Sequence, residues 1–455
     1  MSGDDPRNAA LRIAFLTYRG KPTCGGQGVY TRHLTAGLAD LGHHVEVFSG
    51  PPYPELDPRV RLNPMPSLDL YREPDPFRIP RPSEFRGRVD IAEFAMMCTA
   101  AFPEPLTFTW RVAKALDARR ADFDLVHDNQ SLGFGLLDIQ RMGIPIVGCI
   151  HHPITVDRRL EVEHAPNARR RFTLKRWYAF VDMQTKVAQR LPRIVTVSSS
   201  SMTDIEADHG VPAERMRVVP VGVDQDVYRP LTHIAPVPGR LMTTASADVA
   251  MKGLIHLIEA LAKVRTERHA ELVIVGKSKP GGPVDRAIDR LGLRHAVTFV
   301  SGITDQRIVE LYAEAQVAVV PSLYEGFSLP AIEAMSSGVA LVGTTGGAIP
   351  EVVGSHGDTA MLVEPGDAGQ LAQAIGRLLD DDALRSRIAA AGMARAKERY
   401  SWVAVARQTV EQYAEVIELH RSGSYESMTV PPATSSRSVH RFDGSFRSRL
   451  VGIGA

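Results

Sequence analysis

The sequence predicts an α/β protein built from two doubly wound domains that face a cleft. Short apolar runs alternate with helical patterns along the chain, and this alternation occurs as two separate series. A Pro- and Gly-rich segment without periodicity, at about 220–238, separates the two series and is predicted to be a linker. The chain has 455 residues, of which 44% are hydrophobic, so each domain can bury its own core. We therefore predict an N-terminal domain at 1–225 and a C-terminal domain at 226–400.

The first series begins with a strand at 11–17, a Gly-rich loop at 25–28 and a helix from about 29 to 41. The β–loop–α–β order that results is typical of the start of a parallel sheet. Residues 51–90 are rich in Pro and Arg and predict an extended excursion, whereas 165–191 predict one long amphipathic helix. Further buried strands are predicted where apolar runs end in polar residues, at 43–50, 123–129, 144–152 and 193–200.

The second series repeats this alternation after the linker. Its predicted strands lie at 240–246, 270–277, 296–302, 315–322, 339–345 and 359–365. Its predicted helices lie at 252–266, 283–292, 305–314, 329–337, 349–353 and 367–379. A final helix is predicted at 401–420. Residues 421–455 are rich in Ser, Arg and Gly and lack periodicity, which predicts a flexible tail.

The composition excludes a general attraction to nucleic acid or to membranes, because the formal net charge is only +1. Three cysteines, Cys24, Cys98 and Cys149, lie far apart without a CxxC pattern, which is typical of a reducing compartment. The polar N-terminus is unlike a signal peptide, and acids and prolines interrupt the longest apolar stretches. These features predict a cytoplasmic protein.

A local exception is the basic and aromatic stretch ARRRFTLKRWYAF at 168–180, together with the Arg- and Phe-containing residues 72–88. Such a stretch could make a peripheral contact with an anionic membrane or hold a phosphorylated acceptor. A solvated helix face with buried aromatic rings is the favoured alternative. A location at the inner face of the membrane therefore stays open.

The most informative stretch is 315–338, AQVAVVPSLYEGFSLPAIEAMSSG. An apolar strand ends at 321–322, and a helix begins near Leu329, followed by a proline that suits a first helical turn. Gly326 lets the backbone come close to a ligand. Unpaired N–H groups at such a helix start attract phosphate or electron-rich hydroxyls. These groups belong to Phe327, Ser328 and Leu329.

Two carboxylates flank this helix start, Glu325 before it and Glu333, which is predicted in its first turn. A carboxylate accepts two hydrogen bonds at once and can therefore grip a vicinal diol of a sugar or of a ribose. The alternative is that Glu333 only favours the helix dipole and that Glu325 is solvated. The surrounding strand, loop and helix turn favour the binding interpretation.

In these residues the sequence resembles the large GT-B family of retaining glycosyltransferases, of the group 1 or GT4 type. The resemblance rests on the E-x7-E pattern of Glu325 and Glu333 and covers most of 11–420. It extends to TTGGAIPEVVG at 344–354, LVEPGD at 362–367, VPVGVD at 219–224 and the MKG around Lys252. It implies two Rossmann-like domains facing a cleft, with a C-terminal helix that crosses back to the first domain.

The resemblance implies that the chain is a hexosyltransferase whose donor is a UDP- or GDP-sugar and whose acceptor is a hydroxyl group. In the family the first Glu and the following amides hold the sugar, while the second Glu binds the ribose. Lys252 would neutralise the diphosphate as the sugar leaves. The implied donor site comprises Gly26, Ser246, Lys252, Ile303, Glu325, Gly326, Phe327, Ser328, Leu329 and Glu333.

Ser246 departs from the family pattern, because an Arg often stands at this position. Lys277, Lys279 or one of the arginines could supply the missing cation, or amides and Lys252 could hold the phosphate. Asp224-x-Asp226 looks like the metal signature of a different glycosyltransferase architecture, but it lies in the linker segment. No other cluster has metal-ligand spacing, so no metal and no cofactor are predicted.

His151 follows the strand IPIVGCI, and the family keeps a His there near the reacting sugar carbon. A structural His that ends a strand is the alternative. The implied catalytic residues are therefore His151, Lys252 and Glu325. Residues at the same sheet edge are candidates for the acceptor pocket, namely Gly28, His127, Asp128 and Asp157.

The resemblance implies transfer with retention, and we predict a front-face reaction in which the leaving phosphate takes the acceptor proton. The acceptor belongs to cell-envelope, glycan or glycolipid biosynthesis on this interpretation. The rival interpretations are a catalytically inactive homologue that binds nucleotide sugar, a GT-B-type epimerase and a phosphorylase. The sequence predicts no nucleic-acid partner and leaves the oligomeric state open.

Overall fold

The structure, a computed structural model, describes residues 9–21, 26–151, 153–163, 165–247 and 249–423. The first sheet of the described chain contains the strands β1 (Arg12–Thr17), β2 (His44–Ser49), β3 (Arg61–Pro64), β4 (Leu125–Asn129), β5 (Ile146–Ile150), β6 (Ile194–Thr196) and β7 (Met216–Val218). Their spatial order is β3-β2-β1-β4-β5-β6-β7, and every pair is parallel.

Helices cover both faces of this sheet, so its central strands are buried along their whole length rather than at alternate residues. All residues of β4 and of β5 are buried. The helices that the structure describes before the second sheet are α1 (Gly26–Asp40), α2 (Arg88–Cys98), α3 (Glu104–Asp117), α4 (Gly135–Arg141), α5 (Thr155–Glu163), α6 (Ala168–Trp177), α7 (Ala179–Ala188) and α8 (Ser199–His209).

The second sheet follows after residues 219–239, so the predicted linker lies between the two sheets. It contains β8 (Arg240–Thr244), β9 (Glu271–Val275), β10 (Val297–Val300), β11 (Val317–Val320), β12 (Ala340–Thr344) and β13 (Met361–Val363). Their order is β10-β9-β8-β11-β12-β13, again with parallel pairs. The helices around it are α9 (Leu254–Val264), α10 (Pro283–Arg290), α11 (Asp305–Glu314), α12 (Leu329–Ser336), α13 (Ile349–Val353), α14 (Ala368–Asp380) and α15 (Asp382–Tyr400).

The C-terminal helix α16 (Trp402–Arg421) leaves the second domain and packs on the first. Its buried side chains, which include Val405, Tyr413 and Val416, join the apolar cluster formed by α1, β1 and β2. Two parallel-sheet domains and a helix that crosses back confirm the predicted fold class. The boundary at 225/226 falls inside the linker between the sheets and stays a prediction.

Two of the predicted segments differ in the structure. The helix predicted at 165–191 is divided at Tyr178 into α6 and α7, because α7 packs into the core whereas α6 buries little besides Leu174. The predicted excursion at 51–90 contains β3, an edge strand of four partly exposed residues without an apolar run. The tail beyond residue 423 and the loop at 22–25, with Cys24, lie outside the described residues.

Candidate functional site

The carboxyl ends of the two sheets meet across the cleft, as the doubly wound topology requires of a ligand site. The loop after β11 in the second domain touches the start of α8 in the first. There the Ser198 hydroxyl donates to the Gly326 carbonyl oxygen over 2.5 Å. Residues that follow β6 therefore contact residues that follow β11 and β12.

Glu325 is held by the loop after β12 and by a neighbouring lysine. Its backbone carbonyl accepts a hydrogen bond from the Ala348 amide over 2.8 Å. Its carboxylate accepts a hydrogen bond of 2.7 Å from the Ser322 hydroxyl, and only 8% of the residue is exposed. The side chain is therefore fixed at the open end of the second sheet.

Lys252 donates to both carboxylate oxygens of Glu325, over 2.8 and 3.1 Å. It ends a short 3-10 turn that is itself pinned to the loop after β11, since the Leu323 amide donates to the Met251 carbonyl over 2.8 Å. Gly253 closes the turn with a φ of 63°, and a Cβ there would lie 2.0 Å from the Pro321 carbonyl oxygen. Only glycine fits, so this turn holds the ammonium group beside Glu325.

The start of α12 offers several unused hydrogen-bonding groups. In the part of the chain that is described, the amide N–H groups of Phe327, Ser328 and Leu329 donate to no protein oxygen. The Ser328 hydroxyl is buried there and has no described partner either. Unpaired amides and a buried hydroxyl beside a cation suit a phosphate or sugar ligand.

Glu333 lies in the second turn of α12, not in the first turn as predicted. The hydroxyl groups of Tyr228 and Tyr312 lie beside its carboxylate, with Asp305 nearby. Burial raises the pKa of Glu333 to about 7, the charge of Asp305 adds to this shift, and the two hydroxyl groups oppose it. Ile303 packs into the same cluster, partly buried.

Ser246 follows β8 and lies against the segment that follows β9. The amide of Ala247 donates to the Lys277 carbonyl over 3.0 Å, so the backbones of these two loops are neighbours. Lys277 and Lys279 are both exposed. Lys277 is thus the nearer candidate for the cation that the family often supplies at position 246.

His151 follows β5 in the first domain and is held by two residues at the end of β4. Its Nε2 lies 2.7 Å from the Asn129 Oδ1, and its backbone amide donates to the Gln130 Oε1 over 2.9 Å. The imidazole edge contacts Tyr30, with ring centroids 4.4 Å apart. Burial lowers the pKa of His151 to about 4, so the ring is neutral and donates through Nε2–H to Asn129.

Asn129 connects His151 to the start of α1, and sequence reasoning missed this role. Its amide nitrogen donates to the Gln27 carbonyl and to the Thr31 hydroxyl, each over 3.2 Å. Gly26 begins α1, and a Cβ on Gly28 would lie 2.0 Å from the Lys21 carbonyl oxygen. The available signal was a polar residue at the end of a buried strand.

Two of the predicted acceptor residues belong to the core rather than to the pocket. His127 is fully buried, and its ring stacks on that of Phe15 with the centroids 4.4 Å apart. Its Nδ1 shares a hydrogen bond of 2.9 Å with the Tyr413 hydroxyl. Asp128 is also fully buried, and its carboxylate accepts from the Leu132 amide over 2.9 Å. Burial lowers the pKa of His127 to about 3 and raises that of Asp128 to about 6. We therefore withdraw both from the acceptor pocket.

The remaining predictions concern Asp157 and the pattern Asp224-x-Asp226. Asp157 lies in α5, but its side chain is outside the described residues. Asp224 accepts from the Asp226 amide over 3.0 Å, a local turn contact. No group of three or more potential metal ligands occurs among the described residues.

On α6, Phe172 is 67% exposed next to exposed arginines. Of the described helices, none has the length and apolar character needed to cross a bilayer.

Comparison with known proteins connects this geometry to a family. Residues 24–227 match the model of Glycosyltransferase Family 4, and residues 238–381 match that of Glycosyl transferases group 1. The chain is 52% identical over 408 residues to the MMP alpha-(1->4)-mannosyltransferase of Mycolicibacterium hassiacum, covering 90% of this chain and 98% of the relative. It is 26% identical over 442 residues to a D-inositol 3-phosphate glycosyltransferase of Streptomyces scabiei, covering 90% and 92%.

Solved structures share the fold at lower identity. Sucrose-phosphate synthase from Thermosynechococcus elongatus superposes with a TM-score of 0.64 at 24% identity, covering 90% of this chain and 99% of that one. Anabaena HepE in complex with UDP superposes with a TM-score of 0.63 at 20% identity, covering 89% and 100%. The chain therefore belongs to the group 1, family 4 glycosyltransferases with the GT-B fold, and it is a hexosyltransferase.

Proposed function

We propose that this protein transfers a mannosyl residue from a nucleoside diphosphate mannose to the 4-hydroxyl of a mannose-containing acceptor, with retention of configuration. The 52% identity to a relative named as an α-(1→4)-mannosyltransferase supports the sugar and the linkage. The observation that carries the donor site is the contact of Lys252 with Glu325 beside the unpaired amides at the start of α12.

Each of these groups has a task in the proposed reaction. The bond between the anomeric carbon and the diphosphate oxygen breaks, and negative charge develops on the β-phosphate. Lys252 and the amides after Gly326 stabilise that charge, because they are fixed before the reaction begins. Glu325 accepts hydrogen bonds from sugar hydroxyls, and Glu333 accepts those of the ribose.

Retention follows from attack on the face that the diphosphate leaves. The acceptor oxygen bonds to the anomeric carbon, and its proton passes to the departing phosphate oxygen. The Glu325 carboxylate is paired with Lys252 in the described structure, which makes it a poor nucleophile for a double displacement. His151 stands on the opposite side of the cleft as a neutral ring.

The first experiment is a transfer assay of the purified protein with GDP-mannose, UDP-mannose or UDP-glucose and an α-mannoside acceptor. We expect nucleotide release and a new α-(1→4) linkage with one mannosyl donor, and the same rate in EDTA. The Glu325→Gln and Lys252→Ala variants should lose transfer, whereas the exposed-site variant Lys397→Ala should not. Release of nucleotide by both site variants at the wild-type rate would contradict the assignment.

The rival functions give different results in the same assay. An epimerase converts the donor when no acceptor is present, and a phosphorylase requires inorganic phosphate. An inactive homologue binds the nucleotide sugar, as seen in a raised melting temperature, but releases no nucleotide.

The membrane contact through 168–180 also stays a prediction, tested by sedimentation with anionic vesicles.

A further inference from the structure

A run of serines at the start of α8 contacts the donor-binding loop from across the cleft. Ser198 is the N-cap of α8, and its hydroxyl accepts from the Ser201 amide over 3.0 Å. The same hydroxyl donates to the Gly326 carbonyl oxygen over 2.5 Å. The Ser201 hydroxyl donates to that oxygen too, over 3.1 Å, and both serines are fully buried. Two hydroxyl groups of the first domain thus converge on one carbonyl of the second.

The Gly326 carbonyl determines the direction of a neighbouring amide. In a planar trans peptide, the C=O of one residue and the N–H of the next point in opposite directions. Holding the Gly326 oxygen toward α8 therefore directs the Phe327 N–H away from α8. The Glu325 oxygen is held in the same manner by the Ala348 amide over 2.8 Å. Both peptide planes that include Gly326 are fixed through their oxygens, and the Phe327 amide is left without a described protein partner.

We propose that Ser198 and Ser201 are positioning residues that orient the Gly326–Phe327 peptide toward the donor when the two domains are closed. They do not touch the reacting atoms and act only through the loop. The proposal rests on the donor role of this loop under the proposed function. On this proposal, closure of the cleft and orientation of the donor loop occur together.

Neighbouring contacts support a closure-dependent interface. The Ser199 amide donates to the Glu351 carboxylate over 2.8 Å, and the Ser200 hydroxyl lies 2.9 Å from the Tyr324 hydroxyl. Tyr324 directly precedes Glu325 in the donor loop, and Glu351 lies in α13 of the second domain. Every one of these bonds joins the two domains, so an opening motion breaks them together.

The test separates positioning of the loop from stability of α8. Ser201→Ala removes one hydroxyl without removing the cap, and Ser198→Gly removes the other while keeping a residue that starts helices well. Thr203→Ala is the matched control, since the Thr203 hydroxyl donates to the Ser199 carbonyl of its own helix and to no other described residue. Each variant is assayed for kcat and KM with the mannosyl donor that the wild type uses, and for binding of the corresponding nucleoside monophosphate, which lacks the β-phosphate.

We expect kcat to fall about three- to tenfold for Ser201→Ala, since one neutral hydrogen bond is lost. For the double variant, which combines Ser198→Gly with Ser201→Ala, kcat should fall about 10- to 100-fold. The affinity for the nucleoside monophosphate should stay within about twofold, because this ligand lacks the β-phosphate that the loop amides would hold and because Glu333 is unchanged. Melting temperatures should stay close to that of Thr203→Ala. A purely structural role would not lower kcat while leaving nucleotide affinity and melting temperature unchanged.

Two results would overturn the proposal. One is a kcat within twofold of the wild type for the double variant. The other is a parallel loss of kcat, nucleotide affinity and melting temperature, which would indicate a general folding defect. If the wild type itself transfers no sugar from any donor tested, it is the proposed function that fails, whatever nucleotide affinity the serine variants show.

Discussion

Replacing Glu333 with glutamine is expected to stabilise the protein and to weaken donor binding at the same time. The carboxyl group lies in α12 beside Tyr228 and Tyr312, where burial raises its pKa from 4.5 to about 7. One pKa unit corresponds to about 1.4 kcal/mol, so the folded state carries a penalty on the order of 3 kcal/mol when the group is ionised. Glutamine resembles the protonated form in shape and avoids this penalty.

The sign of the effect depends on pH. Because the folded pKa is raised, the unfolded chain loses this proton first as the pH rises from about 4.5 to 7, and the stability of the wild type falls over that window. Below it both states are protonated, and the wild type and Glu333→Gln should be about equally stable. At pH 8 the variant should melt roughly 5–10 °C higher, the shift expected of such a free-energy change in a domain of this size.

Donor binding should change in the opposite direction. A carboxylate that grips the ribose diol accepts two hydrogen bonds, and losing charged acceptors costs about ten- to a hundredfold in affinity. The KM of the wild type for the donor should fall as the pH rises through about 7, whereas that of Glu333→Gln should be high and independent of pH in this range. The control is Glu398→Gln, which changes an exposed carboxylate on α15.

The measurements are melting temperatures at pH 5 and pH 8 and donor KM values between pH 6 and pH 8. If Glu333→Gln melts no further above the wild type at pH 8 than it does at pH 5, burial does not penalise this carboxylate. A wild-type KM that stays constant across the same range would show that the ionised form of Glu333 is not what binds the donor.

Two further predictions concern groups on opposite sides of the cleft. Lys252→Ala should lower kcat about 10²- to 10³-fold, because a fixed charge on the leaving phosphate is lost, and single-turnover rates would test this; a loss confined to KM would contradict the role. Asn129→Asp places a carboxylate at the Nε2 of His151 and should raise the pKa of that ring, which NMR titration of the imidazole measures. Transfer by this variant should then decline on the acidic side of the new pKa, where the wild-type ring stays neutral, and an unchanged pH profile would remove His151 from the reaction.

Much of the fold was predictable from the sequence, because parallel strands that are buried on both faces appear as continuous apolar runs. The helices predicted at 305–314 and 349–353 coincide with α11 and α13. The errors fall where this signal is weak. β3 is a short edge strand with little apolar content, and the division at Tyr178 reflects different surroundings of α6 and α7, which a periodic pattern does not reveal.

For the candidate site, the sequence by itself predicted which loops carry the chemistry: the motif around Glu325, the helix start at Leu329 and the turn at Lys252. Only the tertiary structure decided which of these residues meet. Lys252 and Glu325 are 73 positions apart, and Ser198 and Gly326 are 128 apart. Such contacts depend on how separate strands and domains are placed, which no local pattern encodes.

The same limit explains the acceptor residues. Strand periodicity predicts that His127 and Asp128 face opposite sides of the first sheet. It does not predict what covers each side, and α16 and the turn at 129–132 cover both. The sequence alone therefore determined two α/β domains and the enzyme family, and it predicted the donor loop. The closure of α8 onto that loop, and the burial of the predicted acceptor side chains, were decided by packing between distant elements.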